Sequence, residues 1–555
     1  MGWSTSAPLL VFLSAPAAAF LPSPPLRSSF PLRGDCSTFS SAAAACGAPA
    51  SFLTCRPALP CSRSRRDRRS GQTLRCQVQQ QEERQQKPPI SFSESGRVQF
   101  FGVEATAEVW AIAIVYFVQG ILGISRLAVS FYYKDSLHLG PAELALVSSI
   151  QVLPWVIKPL YGFISDGFPL FGYKRRSYLI LSGLLGSVSW ASLSLLAGCA
   201  SANSCGLLGS VPAAASVALV TLSSLGLAFS DVLVDALVVT RSRGADQSTA
   251  GSLQSLCWSS SALGSLLSAY ASGQLVQSFG PAWVFSLTAL FPLITSGVAG
   301  LIDEKPAEEE EVIDVTPQSS FFSHLKSQGS LLWGAFSKRS ILLPVTFLVL
   351  WQSTPTSGSA LFFFETNELG FTPEFLGRLS LVSSLSSLLG IIIYDQKLKR
   401  VPLRVLFKWI CLIAVVLGMS PLLLVTHANR LLGLPDQLFA IGDDVILTVL
   451  GQIAFMPVLV LGANICPPGV EASLYAALMS VNNLSGSLGS VLGGLMTKAL
   501  HVTEKDFSNL PLLIVITNLS GLLPLPFLNL LPKQVAKEDG DLVIEASEEE
   551  AEEAK

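Results

Sequence analysis

In the stretch WVIKPLYGFISDGFPLFGYKRRSYLIL (155–181), Lys158 and Asp166 stand among apolar residues, and the basic trio Lys174, Arg175 and Arg176 follows. A charge at the centre of a membrane helix costs about 2.5–3.5 kcal/mol on insertion scales, so such groups are kept where they have a use. On a helix Lys158 lies about 12 Å deeper than Asp166, at 1.5 Å per residue. Its neighbours are Pro154, Trp155, Pro159 and Tyr161. Prolines interrupt the helix hydrogen-bond ladder, and a membrane helix tolerates them where a cavity or a neighbour satisfies the freed groups. A cation, an indole and a phenol together suit an anionic aromatic ligand. The plainer alternative is a lysine that snorkels toward the interface.

In SDVLVDALVVTRSR the carboxylates of Asp231 and Asp235 lie four residues apart, on one helix face. Central and facing lipid, the two would together cost about 5–7 kcal/mol, so they should face protein or water. Three roles fit them: a proton-binding carboxylate, an acceptor for the two adjacent N–H donors of an aminopyrimidine edge, or a structural ion pair with Arg241, Arg175 or Arg176. Arg126 is a further candidate contact for an anion. Trp351, Gln352 and Phe362 to Phe364 could form an opposite wall, and Asn482 and Asn483 are weaker candidates. Gly162, Asp166, Arg175 and Arg176 read as a gating latch: small residues permit close helix approach, and a carboxylate and guanidinium groups can lock together.

Helices of spanning length must carry these groups. The 555 residues are 50% hydrophobic and only 14% charged, against roughly 25% charged in soluble chains. About twelve apolar segments are expected to cross a ~30 Å hydrocarbon core: 107–128, 142–164, 177–199, 212–239, 248–276, 281–301, 341–364, 373–394, 402–426, 440–462, 471–498 and 509–531. A polar linker at 302–340 separates an N-terminal half (96–301) from a C-terminal half (341–532), and an acidic tail expected to be disordered follows at 533–555. Lys174, Arg175, Arg176, Arg241, Arg243, Lys397, Lys399, Arg400 and Arg404 fall on one side of alternating spans, which places both mature termini there. FYYKDSLHLGPAELALVSS (131–149) echoes FFFETNELGFTPEFLGRLSLVSS (362–384), and GFISD (162–166) is answered by GIIIYD (390–395). Two related six-span halves are the signature of an all-α membrane protein of the major facilitator fold, with its site between the halves near mid-membrane.

Other chemistries find no support. The four histidines are dispersed, and HExxH, phosphate-loop and nucleophile-elbow motifs are absent, as are CxxC pairs. The chain reads as no enzyme, with no cofactor, no metal and no nucleic-acid partner, and transport would be driven by a gradient. Cys199 and Cys205 flank a short loop and are expected as free thiols. Residues 1–95 form a leader: PLLVFLSAPAAA (8–19) fits a signal-peptide core cut before Phe20, and the Ser-, Ala- and Arg-rich remainder fits a transit peptide. A bipartite leader (signal peptide 1–19, then transit region) and one long transit peptide both fit, and both address a plastid envelope.

The segments SRLAVSFYYKDSLHLGPAE, LPWVIKPLYGFISDGFPLFGYKRRSYLILSGLLG, DVLVDALVV, RGADQSTAGSLQSLCWSSSA and FFFETNELGFTPEFLGR together resemble the folate–biopterin transporter family, a major facilitator branch, over most of residues 105–531. The resemblance is to the plastid and cyanobacterial type. It implies movement of folates or pterins across a plastid envelope, with protons as the coupling ion; the working unit is separately expected to be a monomer. It also implies that Arg126, Asp135, Pro154, Lys158, Pro159, Gly162, Asp166, Arg175, Arg176, Asp231 and Asp235 are the family's recurring positions. The substrate contacts expected on these grounds are Arg126, Trp155, Lys158, Tyr161, Asp231 and Trp351, with Asp231 and Asp235 as proton-coupling candidates. A rival of the same fold would carry another small organic anion or amino acid, and a third reading is a membrane protein without transport.

Overall fold

Apolar segments this long leave their backbone groups only one economical arrangement inside a bilayer, the helix. A computed structural model places helical segments at the twelve expected spans among its described residues. It describes residues 106–202, 213–242, 247–304, 336–465 and 471–536, together with a few short pieces beyond them. Nearly all of residues 1–95, expected as a leader, together with Arg243, Cys205 and most of the linker, lie outside the described residues. Among those described, nine helices are long and apolar enough to cross a membrane. One of them breaks at Gly280, where φ is +77°, and so supplies the fifth and sixth spans. The seventh span is two shorter helices, Arg339–Gln352 and Gly358–Asn367, and the eleventh, Glu471–Ala499, is rich in serine and glycine. The remaining spans are Ala107–Ser136, Pro141–Gly167, Arg176–Ala202, Ala213–Ser242, Pro373–Leu398, Leu403–Val425, Asp436–Ile465 and Leu510–Leu530.

Two small antiparallel sheets lie near the expected boundaries. Ile90–Phe92, Val98–Phe100 and Val103–Glu104 form a small antiparallel sheet that straddles position 95, where the leader was expected to end. Gln534–Ala536 pairs with Leu542–Ile544 inside the tail expected to be disordered. His138, His427 and His501 have positive φ at helix junctions. Histidine tolerates that conformation better than most residues, which gives these three a structural reason.

The halves meet mainly at the end away from the basic loops. One buried cluster there draws on both halves, including Phe131, Tyr132, Tyr133 and Leu144 with Phe362, Phe363, Phe371 and Leu376. The rings of Phe131 and Phe362 meet edge to face, centroids 5.5 Å apart. Gly273 of the fifth span and Gly377 of the eighth cross so closely that a Cβ on Gly377 would lie 2.7 Å from the Cα of Gly273. Ser487 donates to the Ser149 carbonyl at 3.1 Å, and Ser149 donates back to that of Ser487 at 3.3 Å. Toward the basic end the buried clusters belong to single halves: Val109 to Tyr116 with Leu233 to Val238 in one, Phe347 to Trp351 with Leu403 to Ala414 in the other.

Candidate functional site

A cavity of about 840 Å³ lies between the halves. The first and seventh spans are both interrupted beside it, at Leu122–Gly123 and at Ser353–Ser357, and residues of both breaks line it. Interrupted helices at mid-membrane free backbone groups for a ligand, which is how transporter sites are commonly built. The wall carries four indoles, Trp155, Trp190, Trp258 and Trp351, with many serines. Arg126 is the cation of the described wall and Glu365 its carboxylate. Gln119 Nε2, Trp258 Nε1, Trp351 Nε1, Gln452 Oε1 and Asn482 Oδ1 are buried without a hydrogen-bond partner. Each such atom costs about 1–3 kcal/mol if left unmatched, so the wall is suited to a ligand or water that satisfies it.

The expected contacts divide into two layers. Arg126, Trp155 and Trp351 reach the cavity. Lys158, Tyr161, Asp231 and Asp235 are not among its lining residues and sit one layer toward the basic end. Lys158 forms an ion pair with Asp231, each side chain 14% exposed, and its ammonium lies 4.9 Å from the centroid of the Trp155 ring. Trp155 thus separates the pair from the cavity, while its indole N–H donates to Ser224 at 3.1 Å. Of the roles considered for Asp231, the ion pair is the one formed, with Lys158 as partner rather than an arginine. Asp235 accepts a hydrogen bond from the Tyr116 hydroxyl. The second span breaks at Ile157, and Tyr161 donates its hydroxyl to the Pro154 carbonyl at 2.8 Å. Its phenol therefore satisfies the proline break and packs on Phe229.

The latch differs from the expectation. Asp166 is exposed, and among the described residues no ion pair joins it to Arg175 or Arg176. Glu304, at the end of the sixth span, instead accepts the backbone N–H groups of Lys174, Arg175 and Arg176 at 2.9, 3.0 and 2.7 Å. A carboxylate on three amides at a helix start satisfies groups the helix leaves unbonded and complements its dipole. Arg175 donates to Thr240 at 2.6 Å, and Arg241 pairs with Glu108 at 3.0 Å. Gly162 is not at a close crossing, since a Cβ there would meet Val232 at an ordinary 3.8 Å, whereas Gly172 is required by its φ of +81°.

Sequence reasoning passed over Tyr116, Glu304, Glu365, Asp443 and Asp444. The last two are buried in the tenth span, accepting hydrogen bonds from Ser420 and Ser383. Carboxylates inside spans were the available signal, the same one that marked Asp231.

The profile of the BT1 family matches residues 119–549. A "Folate-biopterin transporter" of Synechocystis sp. is 50% identical over 426 residues, 77% of this chain and 82% of that protein. A "Probable folate-biopterin transporter 2" of Arabidopsis thaliana is 32% identical, covering 78% of this chain and 85% of its own. Among solved structures, a D-xylose-proton symporter superposes with a TM-score of 0.55 at 15% identity over 77% of this chain and 98% of that one, a likeness of fold alone.

Proposed function

The chain belongs to the BT1 family, with folate–biopterin transporters among its relatives, and from that premise we propose that it carries folates or pterins across a plastid envelope by alternating access, coupled to protons. The observation that carries the reading is the wall itself. Arg126 supplies a cation for a ligand carboxylate, four indoles supply flat surfaces for a heteroaromatic ring, and unmatched amide and indole atoms await polar partners. The far-end closure with separate cores at the basic end fits a state that exchanges ligand toward the basic side. Beneath the wall, Lys158 with Asp231 and Tyr116 with Asp235 form the layer where proton uptake would be coupled to ligand, since protonating either carboxylate changes a buried pairing.

The test is uptake of labelled folate and biopterin into liposomes holding the purified chain, with and without an imposed pH gradient. Accumulation that follows the gradient supports both substrate and coupling. Asp231→Asn and Asp235→Asn should each lose accumulation yet retain exchange of ligand between equal pools. Uptake indifferent to the gradient would remove the proton, and no uptake by correctly inserted protein would remove the substrate class. A fluorescent fusion of residues 1–95 that stays in the cytosol would remove the plastid address.

A further inference from the structure

Resting on that reading, we propose that Gln452 and Asn482 select the pterin ring. Their amide oxygens accept the two hydrogens of its 2-amino group, and the Trp351 indole N–H donates to the neighbouring ring nitrogen N1. The unmatched atoms of the cavity wall sort by half. In the N-terminal half they are Gln119 Nε2 and Trp258 Nε1, both donors, on the wall that also holds Arg126. In the C-terminal half they are two acceptors, Gln452 Oε1 and Asn482 Oδ1, and one donor, Trp351 Nε1. A ligand with an acidic end and an amino-substituted ring then matches both walls in one orientation, acid to the first and amino edge to the second. Asp231, the sequence-based candidate for that edge, is engaged by Lys158 behind Trp155 and does not line the cavity.

Packing holds the three side chains of this second wall. Met456 and Met479, one turn from Gln452 and Asn482, pack in the same buried cluster as Trp351. Gln452 Nε2 donates to Met456 Sδ at 3.8 Å, so the oxygen is the end of that amide left unmatched. Gly390 of the eighth span crosses the Gln452 stem so closely that a Cβ on the glycine would lie 2.8 Å from the Gln452 Cβ. The Trp351 indole meets Phe407 edge to face, centroids 5.4 Å apart. Its neighbour Gln352 passes Gly486, 3.8 Å from where a Cβ would stand, and Asn482 lies one turn before Gly486 on the eleventh span. Gln452, Asn482 and Trp351 are 2%, 6% and 2% exposed. A ligand that brings two donors and one acceptor to such atoms gains, and one that brings the reverse leaves them buried and unmatched. Because the two walls belong to different halves, a ligand held by both bridges the gap that alternating access must open and close.

The discriminating pair is pterin-6-carboxylate and lumazine-6-carboxylate. They share the fused ring and the acidic group. The pterin offers a lone pair at N1 and an amino group at position 2, whereas the lumazine offers an N–H and an oxo group, so every match on this edge is reversed. Binding to the purified full chain is measured by titration calorimetry. The parent protein should prefer the pterin by about tenfold or more, the scale of one or two buried hydrogen bonds. Gln452→Met and Asn482→Leu, similar in size but without the acceptor, should each bring the ratio down severalfold toward parity. Trp351→Phe, which removes the donor facing N1, should do the same. Gln452→Glu keeps an acceptor oxygen and should retain the pterin preference. A merely structural role would weaken both ligands equally, and an unchanged ratio in Gln452→Met or in Asn482→Leu overturns the proposal. So does a parent protein that binds the two alike or prefers the lumazine, a result that needs no variant to fold. A parent that binds neither pteridine overturns the transporter reading itself, a distinct failure.

Discussion

The two ends of the cavity are held by different physics. At the far end the halves share one apolar cluster, a glycine crossing and paired serine contacts. At the basic end each half keeps its own core, and the N-terminal half satisfies its charges internally: Lys158 on Asp231, Arg241 on Glu108, and Glu304 on the amides that begin the third span. Charges neutralised within one half can stay neutralised when the other moves away. An ion pair across the divide would strand two charges each time the halves parted, at several kcal/mol per ion. The far end, closed by shape and apolar surface, has no such charge to strand and depends instead on close fit.

The strongest way to break this contrast is to spoil the fit. Gly377→Leu places a side chain where the Gly273 backbone now lies, and overpacking of this kind costs about 1–3 kcal/mol even where neighbours yield. Here only the closed form suffers. Transport should fall at least about tenfold, and a cysteine placed at Ser384 on the cavity wall should become more reactive to membrane-impermeant reagents from the far side. Normal transport by this variant would mean the crossing is incidental.

Breaking the charge layer is next in size. Lys158→Ala leaves the Asp231 carboxylate buried without its cation, a loss of about 3–5 kcal/mol. Thermal unfolding in detergent should show it, and the double change Lys158→Met with Asp231→Leu should regain most of the stability without regaining gradient-driven uptake. Equal stability of the single variant and the parent would show that the pair does not hold the layer together.

Part of this site could be read before any coordinates. Apolar length and the internal echo pointed to twelve spans in two halves; a charge near a span end marked Arg126, the place beside Lys158 marked Trp155, and an aromatic face on the seventh span marked Trp351, and all three line the cavity. Lys158 and Asp231 were also marked, but which of them meets a ligand and which meets the other depends on how the second and fourth spans cross, and no local pattern encodes that. Glu365 was hidden by its setting, since FFFETNEL reads first as an aromatic run. Glu304 was hidden by distance, because its partners lie 128 to 130 positions away and are backbone amides, which every residue but proline carries. The pairing of Asp166 with Arg175 or Arg176 is not formed in this state, for a related reason. A motif names residues that meet in some state of a moving protein, and one conformation shows only some of those meetings.

That distinction supplies the finest test of the two ends. Glu304 is engaged in this state, and Asp166 is exposed at the same end. Glu304→Gln keeps an oxygen and a similar shape but loses the charge that three amides now share. It should cost about 1–2 kcal/mol, read as a lower unfolding temperature. Asp166→Asn should leave the unfolding temperature unchanged within about 0.5 kcal/mol, as expected for an exposed group away from strained or buried contacts. Its effect should emerge in the transport cycle, as slower uptake at saturating ligand, if Asp166 meets Arg175 or Arg176 only when the basic end closes. Asp166→Asn with full stability and full rate would confine the latch at this end to Glu304. Lost stability would instead mean that Asp166 already carries load in the state with separate cores at the basic end.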